Sequence, residues 1–110
     1  MVVDDLAEAD VDRIFHALAD ATRRDILAQV IRNEQSVSML AQHYPMSFAA
    51  VQKHVAVLER ASLVTKRRRG REQIVHGDVT ALRKATRLLD AYEEIWRYRT
   101  SRIGQILTED

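Results

Sequence analysis

The chain has 110 residues, enough for one ordinary domain with a single hydrophobic core. It contains 46% apolar and 30% charged residues, three glycines, one proline and no cysteine. This composition excludes disulfide scaffolds, thiolate metal sites, cysteine nucleophiles and turn-rich all-β designs. No apolar run approaches the ~20 residues that span a bilayer, and the acidic N-terminus lacks the basic segment of a secretory signal. We therefore expect a cytoplasmic protein without a membrane partner.

Charge is distributed unevenly along the chain, although the net charge is only +1. Residues 1–20 carry a net charge of −5, and residues 52–71 carry +6. A basic block in a near-neutral chain is typical of a surface that binds a polyanion. Composition alone leaves a solvated basic turn as an equal alternative.

The first half of the chain is predicted to be helical. Residues 1–10 are predicted to be a frayed acidic tail, and residues 11–107 to form the domain. Apolar residues at helical spacing define a first helix, namely Val11, Ile14, Phe15 and Leu18. Asp20 is predicted to cap a second helix. The buried stripe of that helix would be Ile26, Leu27, Val30 and Ile31.

Two further helices are predicted on either side of a proline. Residues 33–35 are predicted to be a turn, after which Ser36 or Ser38 can cap a short third helix. Pro45 ends that helix, because proline disfavours helical geometry in the residue before it. Ser47 is predicted to cap a fourth helix. The buried face of the fourth helix would be Val51, Val55 and Leu58.

After residue 61 the pattern changes to two short strands. Residues 63–68 and 71–76 are predicted to form a β-hairpin around a tight turn at Arg69-Gly70. From Val79 a last helix is predicted to run to about Leu107, a length of ~40 Å. A domain of this size cannot cover so long a helix. Its apolar positions follow three- and four-residue steps, at Leu82, Ala85, Leu89, Tyr92, Trp96, Ile103 and Ile106.

The predicted fold is mainly α with a small β-hairpin, in the order helix-helix-helix-helix-strand-strand-helix. The third and fourth helices match a helix-turn-helix, and the basic hairpin occupies the place of a wing. Each part is common by itself, but the ordered combination is much more specific. We therefore predict a winged helix-turn-helix domain that binds double-stranded DNA.

Three segments resemble ArsR-type (arsenic-repressor-like) winged-helix transcriptional repressors. They are IFHALADATRRDIL at residues 14–27, MSFAAVQKHVAVLERASLV at residues 46–64, and GRE at residues 70–72. The resemblance covers roughly residues 11–100. It implies a homodimeric bacterial repressor that binds a palindromic, inverted-repeat operator and releases it on a signal. Ser62 stands where the family usually has glycine, and Phe48 where a polar residue is common.

The outward side of the fourth helix is predicted to contact DNA. Its candidate residues are Ser47, Phe48, Ala49, Gln52, Lys53 and His54. Gln52 suits a bidentate contact to adenine, and Lys53 can reach guanine or a phosphate. Phe48 can touch a thymine methyl group, or alternatively fold back onto the turn as part of the core. His54 is expected to pack or to contact a phosphate.

The hairpin is predicted to grip the DNA backbone. Its candidate residues are Lys66, Arg67, Arg68, Arg69 and Arg71. These cations can neutralise phosphates, and an arginine at the tip can enter a narrow minor groove. The alternative is a solvated hairpin edge, where charge prevents strand aggregation.

A homodimer is predicted to form through the first and last helices. The candidate interface residues are Ile14, Phe15, Leu18, Leu89, Tyr92, Trp96 and Ile103. For Trp96 the alternative is packing within its own domain. A two-fold dimer would place two recognition helices about one DNA turn, ~34 Å, apart.

No metal site, cofactor or catalytic centre is predicted. The four histidines lack ligand spacing, and the carboxylates of the last helix (Asp90, Glu93, Glu94) are expected to pair with arginines at helical spacing. Phosphate-binding loops and nucleophile elbows are absent from the sequence, so no enzyme is predicted. Two alternatives stay open. One is a protein–protein interaction module without DNA binding, and the other is a metal- or small-molecule-responsive sensor with an unknown effector.

Overall fold

The computed structural model describes residues 8–108, which form five helices and three strands. The helices are α1 (Glu8–Leu18), α2 (Ala21–Arg32), α3 (Val37–Ala41), α4 (Phe48–Arg60) and α5 (Val79–Thr108). The strands are β1 (Gln35–Ser36), β2 (Val64–Arg69) and β3 (Glu72–Gly77). Apart from β1, the elements follow the predicted order, with a mainly helical domain and a hairpin before the last helix.

The helix α1 begins earlier than predicted. Residues 8–10 are helical, so the predicted acidic tail is wrong there, and its remaining residues lie outside the described part of the chain. Glu8 and Asp10 lie in the first turn, where negative charge interacts favourably with the helix dipole. Asp10 also forms an ion pair of 3.1 Å with Arg13 one turn later. Acidic residues that suggested a solvated tail therefore stabilise a helix start.

Short polar side chains begin three of the helices, as predicted. Asp20 accepts a hydrogen bond from the backbone N–H of Arg23 at the start of α2. Ser36 and Ser47 do the same for α3 and α4, each at 3.0 Å. Each cap satisfies a backbone donor that the first helical turn leaves without a partner. Of the two serines considered for α3, Ser36 is the cap.

The strand β1 was not predicted, because residues 33–35 were expected to form a turn. It pairs antiparallel with β3, which gives a three-stranded sheet in the order β1-β3-β2. Two residues are too few to show the alternation of apolar and polar side chains that identifies a strand. The pairing joins the base of the hairpin to the chain between α2 and α3.

The core lies between the first four helices, the base of the sheet and the first turns of α5. Its largest fully buried side chains are Ile14, Ile26, Leu40, Leu58, Leu63, Val51, Val55, Val64 and Val75. Ile14 is only 1% exposed, so its predicted place at a dimer interface is wrong. Ile31 is 44% exposed, because it lies roughly 140° around the helix from the buried Ile26.

The hairpin turn consists of Gly70 and Arg71, one residue later than predicted. The strands pair up to Arg69 and Glu72, and Gly70 has φ 64°. A positive φ at the first of two central residues is typical of a type II′ turn. Glycine adopts this conformation without a steric cost.

The end of α4 contains the other positive φ among the described residues, 60° at Ser62. The N–H of Ser62 donates to Glu59 O at 2.9 Å, and the N–H of Leu63 donates to Leu58 O at 3.0 Å. This is the Schellman pattern, which favours glycine at the position of Ser62. Ser62, which stands where the resembling family usually has glycine, therefore adopts a backbone conformation that is strained for a non-glycine residue.

Replacing Ser62 by glycine is expected to raise the free energy of unfolding. The left-handed conformation costs a non-glycine residue about 1–2 kcal/mol, and the greater freedom of glycine in the unfolded chain offsets part of the gain. We expect a net gain of about 0.5–1 kcal/mol in urea unfolding. The matched control is Ser101→Gly in the exposed interior of α5, which should lose a similar amount. Destabilisation by Ser62→Gly would contradict the strain argument.

Candidate nucleic-acid interface

One side of α4 faces solvent because its opposite side enters the core. Val51, Val55 and Leu58 are each at most 1% exposed. The exposed residues of the other side form what we call the recognition face, namely Phe48, Ala49, Gln52 and Lys53. Phe48 is 46% exposed, which removes the alternative that it folds back into the core. The recognition face therefore carries a hydrogen-bonding group, a cation and an apolar group, and the small side chain of Ala49 leaves the helix backbone accessible to a ligand.

The turn before α4 is tied to α2 by a hydrogen-bond network between residues too far apart in the chain for any local pattern to indicate it. The Tyr44 hydroxyl donates to Asp25 Oδ2 at 2.6 Å. The Gln29 amide donates to the same oxygen at 3.0 Å and to Tyr44 Oη at 2.8 Å. The Tyr44 bond, followed by the Gln29 bond, lowers the pKa of Asp25. This network fixes the turn from which the recognition face projects.

Tyr44→Phe is expected to lower the free energy of unfolding by about 1 kcal/mol near neutral pH, because it removes these hydrogen bonds. The lowered pKa of Asp25 means that its contribution is present above the unfolded pKa of about 3.9. That contribution is lost as pH falls through the lower pKa of the folded state. The difference between Tyr44→Phe and the wild type should therefore shrink on acidification. Urea unfolding from neutral to acidic pH measures it, with the exposed Tyr98→Phe as control. A difference that grows in acid would contradict the assignment.

His54 lies at the edge of the recognition face, half-buried, and is held by Arg23. Arg23 Nη1 lies 3.4 Å from His54 Nδ1. The same guanidinium donates to the carbonyls of Ala17 and His16 at 2.8 and 3.0 Å. Because arginine has no acceptor, Nδ1 is the accepting nitrogen of the ring and Nε2 carries its proton. Arg23 thus links the end of α1 to α4.

The basic residues of the wing, β2 with β3 and their turn, are not equivalent. Lys66 Nζ lies 3.4 Å from Glu59 of α4, and Arg69 Nη2 lies 3.0 Å from Glu34. Arg68 instead donates to the carbonyl of Gly70 in the turn. Within residues 8–108, no salt bridge involves Arg67, Arg68 or Arg71. That all five cations contact phosphates stays a prediction, and in the single chain two of them, Lys66 and Arg69, are already paired with carboxylates.

The second half of α5 leaves its apolar residues in solvent. Leu89, Tyr92, Trp96 and Ile103 are 50, 58, 60 and 46% exposed. The alternative that Trp96 packs in its own core is therefore wrong for this chain. Of the α1 candidates, Phe15 is 36% exposed, whereas Leu18 is half-buried against the core. A groove between α1 and α5, lined by Val11, Leu88 and Tyr92, continues this surface.

Two of the three acidic residues of α5, Glu93 and Glu94, pair with an arginine along the helix, as predicted. Glu93 and Glu94 lie 3.0 and 3.3 Å from the Arg97 guanidinium. Among residues 8–108, no three histidine, aspartate or glutamate side chains are grouped closely enough to hold a metal ion. In the same part of the chain, each helix is too short or too polar to cross a bilayer.

Known proteins similar to this chain are transcription regulators. Residues 20–66 match the model of the family described as bacterial regulatory protein, arsR family. The HTH-type transcriptional regulator Rv2034 of Mycobacterium tuberculosis is 37% identical over 81 residues, which is 74% of this chain and 76% of that protein. These relatives confirm the prediction that the protein is a regulator and not an enzyme.

Two solved structures share the fold. An ArsR-like transcriptional regulator from Rhodococcus sp. RHA1 is 34% identical, with a TM-score of 0.78 over 93% of this chain and 96% of that chain. A homodimeric winged helix-turn-helix DNA-binding domain from Mycobacterium bovis is 24% identical, with a TM-score of 0.64 over 78% of this chain and 81% of that chain. Both confirm the winged helix-turn-helix fold.

Proposed function

We propose that this chain, which belongs to the ArsR family of bacterial regulatory proteins, represses transcription as a homodimer on an inverted-repeat operator. The observation that carries the proposal is an exposed recognition face on α4 followed directly by a basic wing. A protein–protein module that had lost DNA binding would be expected to have an acidic recognition face or a neutral wing. Neither is present in this chain.

The recognition face suits the major groove, which accepts one α-helix and displays a distinct pattern for each base pair. Gln52 would donate to N7 and accept from the N6 amino group of adenine. Lys53 would reach guanine or a phosphate, and Phe48 a thymine methyl group. The side chain of Ala49 is short, so the backbone of α4 can approach the bases closely. Ser47 would donate its hydroxyl proton to a phosphate while its oxygen caps the helix.

The wing would supply contacts that do not depend on sequence. Arg67, Arg68 and Arg71 are exposed near the tip, where their guanidinium groups can bind phosphate oxygens or enter a narrow minor groove. His54 Nε2 would donate to a phosphate at the edge of α4. These contacts would position the recognition face without selecting bases.

The dimer would form through the exposed face of α5, assisted by Phe15 and Leu18 of α1. Removing Leu89, Tyr92, Trp96 and Ile103 from water supplies the driving force. The homodimeric state of the structural neighbour from M. bovis supports this arrangement. A two-fold axis would present two α4 helices to successive major grooves. The bound dimer would exclude RNA polymerase from a promoter, in the cytoplasm where the bacterial chromosome lies.

The salt dependence of DNA affinity tests whether the wing contacts phosphates. Each phosphate contact adds about −0.9 to the slope of log affinity against log salt. Replacing Arg67 and Arg71 together by alanine is expected to flatten the slope by about 1.8 for each wing bound, and to weaken all sequences alike. Replacing Arg83 and Arg97 of α5 removes the same charge elsewhere and should leave the slope nearly unchanged. Equal slopes for wild type and the wing variant would remove the wing from the interface.

A further inference from the structure

Glu34 lies outside the wing, between α2 and β1, but its carboxylate contacts two residues of the wing. Its Oε1 accepts a hydrogen bond from Arg69 Nη2 at 3.0 Å, and its Oε2 lies 2.9 Å from His76 Nδ1. The sheet explains the contact with His76, because β1 pairs with β3 and places Glu34 beside the base of the hairpin. The long Arg69 side chain reaches the same carboxylate from the tip end of β2. One carboxylate therefore links Arg69, at the tip end of β2, to His76, near the base of β3.

The two ion pairs of the wing differ in accessibility. Lys66 lies on the same side of the sheet as the buried Val64, and its side chain is 30% exposed. Arg69 lies on the other side, and its side chain is 66% exposed. An exposed ion pair is weak, because water screens the charges and holding the side chains costs entropy. The bond between Arg69 and Glu34 can thus be exchanged for another anion at little cost.

We propose that Glu34 is an internal competitor of DNA for Arg69. In the free protein Glu34 holds Arg69; in the complex a backbone phosphate replaces the carboxylate. The proposal rests on the DNA binding proposed above and assigns a specific function to one acidic residue. Phosphate and carboxylate both accept the paired hydrogen bonds of a guanidinium group. His76 would retain Glu34 after the exchange, at the base of the wing.

The exchange has a consequence for affinity. While paired, Arg69 and Glu34 together add no net charge to the wing. After the exchange, the Glu34 carboxylate is left near the DNA backbone with its contact to His76 alone. Glu34 therefore lowers the affinity for every DNA sequence, because it opposes a phosphate contact and not a base contact. A regulator gains from this, since non-specific binding to the chromosome competes with its operator.

A double-mutant cycle tests the competition, with Glu34→Gln in the wild type and in the Arg69→Ala variant. Affinity for a duplex of random sequence is measured at several salt concentrations. Glu34→Gln alone should raise affinity about two- to fivefold, the range of an exposed ion pair, and steepen the salt slope by up to about 0.9. In Arg69→Ala, the gain should fall to that of the matched control. That control is Glu72→Gln, which removes an exposed carboxylate at the wing tip.

A gain from Glu34→Gln that is equal with and without Arg69 would overturn the proposal, since Glu34 would then act only as a general negative charge. Absence of DNA binding by the wild type would overturn the proposed function itself. Nitrogen NMR of the wild-type protein provides a measurement that needs no variant. The Arg69 guanidinium signals should move on addition of the random duplex while those of Arg83 stay in place. Unmoved Arg69 signals in a saturated complex would contradict the exchange.

Discussion

Replacing Trp96 by aspartate is expected to produce a folded monomer that has lost operator binding. The indole is 60% exposed in the single chain, so the domain does not need it for its own core. Buried aromatic anchors contribute about 2–4 kcal/mol each to protein interfaces. Because the dimer is two-fold symmetric, the substitution removes both indole rings at once and places two carboxylates in an apolar interface. Analytical ultracentrifugation gives the oligomeric state, and circular dichroism confirms that the variant is folded.

The matched control for this substitution is Ser101→Asp. Ser101 is an exposed residue of α5, roughly 140° around the helix from Trp96. The Ser101→Asp substitution introduces the same charge into the same helix but on another face, so the dimer and its DNA binding should persist. A folded wild-type monomer at micromolar concentration would refute the dimer, whatever the variants do.

Replacing Gln52 by alanine is expected to cost about 1–3 kcal/mol of binding free energy on the operator. The amide is exposed on the recognition face, where a bidentate contact to adenine would be lost on both half-sites. Preference at one base pair per half-site should relax, whereas affinity for random DNA should hardly change. Competition binding with single-base operator variants measures both effects.

Lys53→Ala, one residue along the same face, is the comparison for Gln52→Ala. Where Lys53 binds a phosphate, its loss should weaken specific and random DNA alike and reduce the salt slope by about 0.9 per contact. Equal losses on operator and random DNA for Gln52→Ala would show that Gln52 positions the protein and does not select a base.

Local signals account for what the sequence predicted well. The caps Asp20 and Ser47 act within one helical turn, and apolar spacing along α4 correctly separated the buried Val51 and Val55 from the exposed Gln52. These features depend on neighbours within a few residues. They are enough to place the recognition helix, the wing and the long last helix in order.

Contacts between distant segments could not be predicted in the same way. The two residues of β1 are defined by pairing with β3, which is about 40 residues away in the chain. Glu34 of the segment before β1 contacts Arg69 of β2, and Arg23 of α2 contacts His54 of α4, so both contacts join segments more than 30 residues apart. The periodicity of α1 placed Ile14 on an apolar face but could not say whether its own domain or a partner covers that face. Tertiary packing decides such questions.

Selection of bound sequences from a pool of random DNA duplexes shows whether the protein is a dimeric, sequence-specific regulator. A homodimer that reads DNA with α4 should enrich an inverted repeat. Its half-sites should be centred about 10–10.5 base pairs, or one helical turn, apart. Gln52→Ala should enrich the same repeat with one position per half-site relaxed. Recovery of no shared sequence, or of a single unrepeated motif, would contradict a dimeric, sequence-specific regulator.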